Sequence, residues 1–359
     1  MWTDGVDSKT GLDLNGFEQT NDALVEGVAT NPHVGRPGLK HLDLAGHPEY
    51  GNQLTAAGLR LLSCFTALES INLCNVHPVS GFTDWPRTPT LTSVRLGDKG
   101  FEPAAGPPRG GPDDKGLLAL CEALPHLTCL ELAACGDISK ACTGRALGEL
   151  THLQELALTS SLEVYDDEVS VIAGLSELRK LDLSGCVRVS SDGMAELGRL
   201  KALTDLSLAN VSVSADSIRA MSSLSLVTLN LWGCDAGDSA VLALSGQTEL
   251  TSLRLGFNNL TDVGMRAFAK LTKLRHLALA YNASITDEGV ALLSHLLSLR
   301  HLDLKACTQL TDAILPVLNG LRCLGVLNLD QCSGVTLPAV KAFRHRRPRL
   351  RVTHKLAYA

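Results

Sequence analysis

The chain repeats one leucine spacing along most of its length. If the first leucine of a copy is position 0, the clearest copy has Leu178 at position 0, Leu181 at position 3, Leu183 at position 5 and Cys186 at position 8. The same spacing starts at Leu127, Leu226, Leu250, Leu274, Leu299 and Leu324, with looser copies at Leu39, Leu68, Leu91, Leu153 and Leu203 and a truncated copy at Leu350. From Leu127 onward the starts are 23 to 26 residues apart. This period predicts an array of stacked repeats rather than one globular core.

Each repeat predicts a strand followed by a helix. The leucines at positions 3 and 5 alternate with other residues, so they lie on one face of a strand and fill the core. The second half of several repeats begins with Thr or Ser and then Asp, as at Thr286 and Asp287. These residues suit a helix N-cap and a first helical turn. The repeat also explains why the chain holds 67 leucines but only 14 aromatic residues.

This pattern resembles the cysteine-containing class of leucine-rich repeats, best known from F-box/leucine-rich-repeat proteins, the substrate-choosing subunits of ubiquitin ligases. The resemblance covers residues 120–355 well and residues 39–119 loosely, but no F-box is recognisable before Leu39. It implies an α/β solenoid shaped like a horseshoe, with parallel strands on the concave face and helices on the convex face. We expect about 12 repeats and a terminal half-repeat.

Composition divides the chain into three segments. Residues 1–38 are expected to form an acidic N-terminal cap, residues 39–119 irregular repeats with Gly/Pro-rich insertions, and residues 120–359 regular repeats with a basic C-terminal cap. Prolines and glycines predict loops at Gly46–Gln53, His77–Thr90 and Gly97–Lys115. The longest loop carries Phe101 and Arg109 and is either a tolerated surface insertion or a binding lobe.

Positions 2, 4 and 6 of each repeat are expected to face the concave surface, about 5 Å from the same position of the next strand. In the fourth to seventh repeats they hold Glu131, Glu155, Lys180, Asp182 and Asp205, and in the ninth to eleventh they hold Arg254, His276, His301, Asp303 and Lys305. The sequence thus predicts a surface that runs from acidic to basic along the array. Such a gradient would orient a protein partner of opposite polarity.

Three of the 14 aromatic residues are predicted to stand side by side at one edge of this surface. Trp232 occupies position 6 of its repeat, and Phe257 and Tyr281 occupy position 7 of the next two, close to Arg254. Trp, Tyr and Arg dominate binding hot spots, so we interpret the group as a partner-binding site. The alternative is that position 7 is half-buried under the turn and the rings only pack on one another.

No catalytic, cofactor or metal site is predicted. The motifs GxxxxGK[ST], HExxH and GxSxG do not occur, and an open array lacks the closed pocket that small substrates usually need. His276, His301 and Asp303 could in principle bind Zn²⁺, but such a row is more often solvated polar surface. The 11 cysteines include no CxxC pair, so those at position 8 are predicted to be structural thiols in a reducing, cytoplasmic setting.

The two ends of the chain differ in charge. The net charge is −6, so nucleic acid is not an expected partner of the chain as a whole. Residues 341–355, however, carry seven Lys and Arg and no acid. This segment is either a capping strand with its arginines in solvent or a contact for an acidic protein or RNA. Membrane contact is not expected, because no run approaches the ~18 apolar residues of a membrane span.

We therefore expect a non-catalytic scaffold that binds a protein partner through its concave face and its front loops, which are the three Gly/Pro-rich loops of residues 39–119. The family resemblance implies a second possibility, the substrate-recognition subunit of a Skp1-type ubiquitin ligase that recruits a Skp1-like adaptor through an unrecognised N-terminal segment. A third is a subunit of a cytoskeletal or ribonucleoprotein assembly that contacts an acidic partner or RNA through the basic C-terminus.

Overall fold

The computed structural model describes residues 11–13, 22–30, 38–46, 53–78, 83, 85–98, 111–136, 138–160 and 163–355. The chain splits into two compact units, Met1–Arg188 and Val189–Ala359. In both units parallel strands alternate with helices along the chain. Phe101 and Arg109, in the longest expected loop, lie outside the described residues. Among the described residues, no helix is both long and apolar enough to cross a membrane.

The first unit contains nine described strands and five helices. In chain order they are β1 (Gly11–Asp13), α1 (Asp22–Thr30), β2 (His41–Asp43), β3 (Gln53–Leu54), α2 (Ala56–Leu61), β4 (Ser70–Asn72), β5 (His77–Pro78), β6 (Ser93–Gly97), α3 (Asp114–Ala123), β7 (Cys129–Ala133), α4 (Lys140–Glu149), β8 (Glu155–Ala157), α5 (Asp166–Ile172) and β9 (Lys180–Asp182). Strands β1, β2, β4, β6, β7, β8 and β9 pair in this order as a parallel sheet.

The second unit contains seven described strands and seven helices. They are α6 (Ser191–Glu196), β10 (Asp205–Ser207), α7 (Ala215–Ala220), β11 (Thr228–Asn230), α8 (Gly237–Ala243), β12 (Ser252–Arg254), α9 (Asp262–Met265), β13 (His276–Ala278), α10 (Asp287–Ala291), β14 (His301–Asp303), α11 (Ile314–Gly320), β15 (Val326–Asn328), α12 (Leu337–Arg346) and β16 (Arg351–Thr353). Its strands pair in chain order, all parallel, so that Leu229, Leu253 and Leu277 lie side by side.

The predicted fold class is confirmed, because each unit is a leucine-rich-repeat solenoid of parallel strands with one helix layer. The leucines at positions 3 and 5 are buried in the core, and each helix packs against the helix of the neighbouring repeat. Every repeat start read from the sequence is followed by a strand of the parallel sheet. Periodic burial of one side-chain type therefore fixes the register of the whole array.

Three strands were not expected from the sequence. Strand β1 lies within the acidic segment of residues 1–38 and pairs with β2 through Leu12 and Leu42. Its repeat lacks the leading leucine, since position 0 is Lys9. In addition, the expected loops at Gly46–Gln53 and His77–Thr90 are not wholly irregular, because β3 and β5 pair as a two-stranded parallel sheet.

The buried side chain at position 8 bonds to the preceding repeat. The thiols of Cys186, Cys234, Cys307 and Cys332 and the amides of Asn258 and Asn282 each donate to the position 5 carbonyl oxygen of the repeat before, at 2.6 to 3.4 Å. Asn282 also accepts from the backbone N–H groups of Asn258 and Leu260, at 3.1 and 3.0 Å. The turn that follows each strand thus has its buried polar groups satisfied.

A bond between a threonine and an aspartate joins successive repeats from α8 to α12. Thr286 caps α10 as predicted, because its Oγ1 accepts from the N–H of Glu288 at 3.2 Å. The same hydroxyl donates to Oδ2 of Asp262 at 2.6 Å, and the Thr286 N–H donates to Oδ1 at 2.9 Å. Equivalent pairs are Thr261 with Asp238, Thr311 with Asp287 and Thr336 with Asp312. The aspartate is therefore a bridge between repeats as well as a first-turn charge.

The glycine of the Thr-Asp-x-Gly motif makes room for the bridge. A Cβ atom at Gly289 would overlap Oδ1 of Asp262, and one at Gly264 would overlap Oδ1 of Asp238. The carboxylate cannot move aside without giving up its two bonds to the threonine of the next repeat. In this motif the threonine caps the helix, the aspartate bonds to the next repeat, and the glycine leaves space for the aspartate of the preceding repeat.

The basic C-terminal segment closes the second unit. Strand β16 pairs in parallel with β15, and Leu350 before it is buried. The Arg347 guanidinium donates to the carbonyl oxygens of Asn319, Leu321 and Leu324 at 3.2, 3.1 and 3.0 Å. Carbonyl groups at the end of α11, which have no partner within the helix, are thereby satisfied. These contacts favour the capping interpretation of this segment.

Gly289→Ala should lower the free energy of unfolding by about 1–3 kcal/mol, because Asp262 must then break its bonds to Thr286. In an Asp262→Ala background the same substitution should cost much less, since no carboxylate remains to be displaced. Urea unfolding of the four proteins measures this coupling. Gly320→Ala, where a Cβ meets open space, is the matched control and should not destabilise. Equal costs in both backgrounds would contradict the bridge.

Candidate protein-binding surface

Each unit presents one face of its sheet away from the buried leucines. Along β12, Leu253 at position 3 is fully buried, whereas Arg254 at position 4 is exposed. The same alternation occurs on the other strands, where positions 2 and 4 are half-buried or exposed. We call the surface formed by positions 2, 4 and 6 the strand face of each unit. All the site residues predicted on strands lie on these two strand faces.

On the strand face of the first unit, acids and bases pair with one another. Glu131 on β7 lies 3.4 Å from Arg95 on β6, and Glu155 on β8 lies 2.8 Å from Lys180 on β9. Asp182 is used locally, because its carboxylate accepts the N–H of Ser184 at 2.9 Å. These contacts partly neutralise the acidic side chains, so this part of the array is less acidic than the sequence suggested. Sequence reasoning missed Arg95, which occupies position 4 of the loose copy at Leu91, just before the longest insertion.

On the strand face of the second unit, the cations are not paired in this way. Asp205 accepts a hydrogen bond from the neighbouring Thr204 hydroxyl at 2.7 Å. Arg254 forms no ion pair with any acid among the described residues, and its neighbours at position 4 are the uncharged Asn230 and Ala278. The Nζ of Lys305 lies 5.0 Å from the ring centroid of Tyr281. A hydrogen bond with the Tyr281 side chain raises the pKa of Lys305.

Trp232, Phe257 and Tyr281 come together as one aromatic cluster. The rings of Phe257 and Tyr281 stack with centroids 4.2 Å apart, and Trp232 meets them edge-on at 5.4 and 6.0 Å. Phe257 remains 50% exposed, and Trp232 and Tyr281 are half-buried. The cluster is therefore neither a core feature nor a set of isolated rings. It presents apolar surface beside Arg254 and Lys305.

The backbone under this cluster has an unusual conformation for aromatic residues. Position 7 is left-handed, with φ between 47° and 76°, in ten repeats: Asn75, Ala134, Ser160, Gly185, Asn210, Gly233, Phe257, Tyr281, Ala306 and Gln331. Eight of these residues are Gly, Ala, Ser, Asn or Gln. A bulky residue in this region costs roughly 1–2 kcal/mol. Strained residues of this kind concentrate at functional sites, which favours the binding interpretation over simple packing.

Gly256 allows the Trp232 ring to lie against the sheet. A Cβ atom at Gly256 would overlap the six-membered ring of Trp232. The backbone N–H of Trp232 donates to Oδ1 of Asn230 at 3.2 Å, which holds the turn that carries this ring. Sequence reasoning did not identify Gly256, whose role depends on a residue 24 positions earlier in the preceding repeat.

His276 and His301 form a stacked pair beside the cluster. Their ring centroids are 4.3 Å apart and their planes differ by 12°. Burial and the positive charges of His301, Arg300, Arg254 and Arg275 lower the pKa of His276. Burial raises the pKa of Asp303. Because stacked rings point their nitrogen lone pairs in parallel directions, the pair does not converge on one metal ion. No cluster suited to a metal ion occurs among the described residues.

These residues surround a shallow depression on the strand face of the second unit. Its volume is about 490 Å³, and it is lined by Trp232, Arg254, His276, His301, Asp303 and Asn328 above a floor that includes Ala278. The corresponding hollow on the first unit, between Glu131, Glu155 and Lys180, measures only about 20 Å³. The depression on the second unit has a volume typical of ligand sites, whereas the hollow on the first unit has room for little more than one water molecule.

Most of the cysteines are packed in the core. All 11 carry free thiols, and only Cys64 and Cys323 are exposed. Burial raises the pKa of Cys307 to about 12 and that of Cys234 to about 11. Since the thiolate is the reactive form, these side chains are poor nucleophiles near neutral pH.

Comparison with known proteins agrees with this architecture. A family model described as leucine rich repeat matches residues 248–310. An internalin (InlF) structure from Listeria monocytogenes strain 4b F2365 is 20% identical with a TM-score of 0.57, over 98% of this chain and 88% of that chain. A chain of the Rad7 and Elc1 complex in yeast is 19% identical with a TM-score of 0.56, over 92% and 83%. No curated protein matches the sequence. The chain thus has the leucine-rich-repeat fold.

Thiol labelling should distinguish packed from reactive cysteines. With DTNB at about pH 8, two of the 11 thiols should react rapidly in the folded protein, and all of them after unfolding. The other nine thiols are buried or half-buried, and raised pKa values leave little thiolate at Cys121, Cys234 and Cys307. A Cys64→Ser, Cys323→Ser double variant should lose the fast phase. Rapid native labelling of Cys234 or Cys307 would show that these thiols are not buried.

Proposed function

We propose that the protein is a non-catalytic scaffold that binds a protein partner through the strand face of its second unit, with the aromatic cluster as the central contact. The observation that carries this proposal is the pair of aromatic residues in a left-handed backbone position that other repeats fill with small or polar residues. Half-exposed rings next to arginine are the residue types that supply most binding energy at protein interfaces. The first-unit residues Glu131, Glu155 and Asp182, and the front-loop residues Phe101 and Arg109, remain proposed secondary contacts.

The surface fits a macromolecule better than a small substrate. The depression is open and shallow, and its polar groups belong to residues spread over β11 to β15. A reacting small molecule usually needs a closed, mostly apolar pocket that excludes water. A protein segment, in contrast, can cover several strands at once. We place this function in the cytoplasm, because 11 free thiols fit a reducing compartment.

A second candidate is substrate recognition within a Skp1-type ubiquitin ligase. The cysteine-containing repeat pattern supports it, as does the similarity to a chain from the complex of Rad7 with Elc1. In this role the strand face would hold the substrate, and another part of the chain would contact a Skp1-like adaptor. A third candidate, contact with RNA or an acidic assembly through residues 341–355, has less support because Arg347 is used within the fold.

Partner binding should depend on the aromatic cluster while folding does not. Trp232→Ala combined with Tyr281→Ala should remove about 2 kcal/mol or more of binding free energy. Phe257→Gly should weaken binding too, yet leave the melting temperature nearly unchanged. Loss of ring contacts costs about 0.5–1.5 kcal/mol, and relief of the left-handed strain offsets it. Affinity purification from native extract with quantitative mass spectrometry, together with thermal melts, measures both effects.

Gln331→Gly is the matched control for Phe257→Gly, because Gln331 occupies the same position with a φ of 64°. It should leave both partner recovery and folding intact. If the aromatic variants retain every partner, or if they unfold the protein, the cluster serves packing and the proposal is wrong.

The ubiquitin-ligase candidate makes a separate prediction. The full chain should recover a Skp1-like adaptor in a stoichiometric amount, and the Trp232→Ala, Tyr281→Ala variant should recover it equally well, since adaptor and substrate would occupy different sites. Co-purification and quantitative gels measure this ratio. Absence of the adaptor from both preparations would leave the scaffold function alone.

A further inference from the structure

The strand face of the second unit carries a cation that is open to a partner's carboxylate. On the first unit, Arg95 and Lys180 each have a glutamate within ion-pair distance. On the second unit, Arg254 has no such partner among the described residues, although it occupies the same position 4 as Arg95. Charge complementarity therefore selects an acidic partner for this face.

The shape of the depression leaves room for a side chain beside this arginine. A small residue lies on its floor, where Ala278 on β13 is next to Arg254. The aromatic cluster borders the hollow through Trp232. A segment that carries both a carboxylate and an apolar side chain would thus contact a cation and rings together.

The histidine pair adds a second group that can interact favourably with a negative charge. The charged or titratable groups around His276 are Arg254 on β12, Arg275 before its own strand, and His301, Arg300 and Asp303 on or beside β14, whereas β15 offers the neutral Val326 and Asn328. Burial, together with these positive neighbours, holds the pKa of His276 below its usual range. A bound carboxylate opposes the effect of the positive charges and favours protonation of His276.

We infer that the depression binds an acidic segment of a partner protein, with a carboxylate between Arg254 and the histidine pair and an apolar side chain against the aromatic cluster. The inference rests on the proposed function and names the chemistry of its partner. Electrostatic contacts of this kind supply orientation and specificity, and the rings supply much of the affinity.

A protein segment fits this surface better than nucleic acid. The ring faces that would stack on bases are partly used, because Phe257 and Tyr281 stack on each other and Trp232 lies against Gly256. Asp303 also lines the hollow and would oppose a phosphate backbone. Single-stranded nucleic acid needs open ring faces along a continuous basic groove.

The test begins with random dodecapeptides displayed on phage and selected against the full chain. Enriched peptides should carry several Asp or Glu residues and at least one apolar anchor. A fluorescein-labelled enriched peptide should then bind with an affinity that falls about tenfold or more in Arg254→Glu. Lys270→Glu makes the same charge change at an exposed residue outside the strand face and should leave the affinity unchanged. Arg254→Gln, with unchanged melting temperature, separates loss of charge from loss of folding.

The pH dependence provides a readout that a merely structural role would not move. A bound carboxylate raises the pKa of His276, so affinity should increase as the pH falls from about 7.5 to about 6. His276→Gln should flatten this dependence.

Enrichment of neutral or basic peptides, no enrichment at all, or equal binding by Arg254→Glu would overturn the inference. So would Arg254-dependent binding of a fluorescein-labelled oligouridylate in place of the peptides, which would assign the depression to RNA. If native partners are lost from Trp232→Ala, Tyr281→Ala but kept by Arg254→Glu, the proposed function stands and this inference fails.

Discussion

The hydrogen bond from position 8 to the position 5 carbonyl of the preceding repeat is the constraint on which the rest of the structure depends. A chain that leaves a buried strand exposes polar backbone groups to an apolar core, and these must find partners. A cysteine thiol or an asparagine amide meets that need in six repeats, from Cys186 to Cys332. To bring this side chain inward, the residue before it turns into a left-handed conformation.

That turn links the core to the surface where partners would bind. In the second unit position 7 lies outside the core while position 8 lies inside it, so the position 7 side chain is free to vary once the strain is tolerated. Phe257 and Tyr281 use this freedom, and their rings meet Trp232 from the repeat before them. The two strand faces then differ through their charges, since Glu131 and Glu155 pair with cations on the first while Arg254 has no acidic partner among the described residues on the second.

Features set by the spacing within one repeat could be predicted from the sequence, whereas specific side-chain contacts between two repeats could not. Leucine spacing is enough to locate the strands and to align Trp232, Phe257 and Tyr281, because stacking simply superimposes equal positions. The second function of Asp262 could not be predicted, since its partner Thr286 lies 24 residues later. The Arg95–Glu131 ion pair joins two strands that the longest insertion separates in the sequence. The need for glycine at position 256 depends on the Trp232 ring, which occupies the place where a Cβ atom would lie. Strand β1 was missed because its repeat lacks the first leucine.

We propose that the strand face of the second unit, and not its helix side, contacts the partner. The most direct measurement is photo-crosslinking in the protein's own cells with benzoylphenylalanine placed at Phe257 or, in a matched protein, at Val263 of α9. These residues belong to one repeat and are 50% and 47% exposed. Position 257 should give a discrete crosslinked protein that is lost with Arg254→Glu, and position 263 should give none. The same crosslinked protein from both positions, or from position 263 alone, would contradict this proposal.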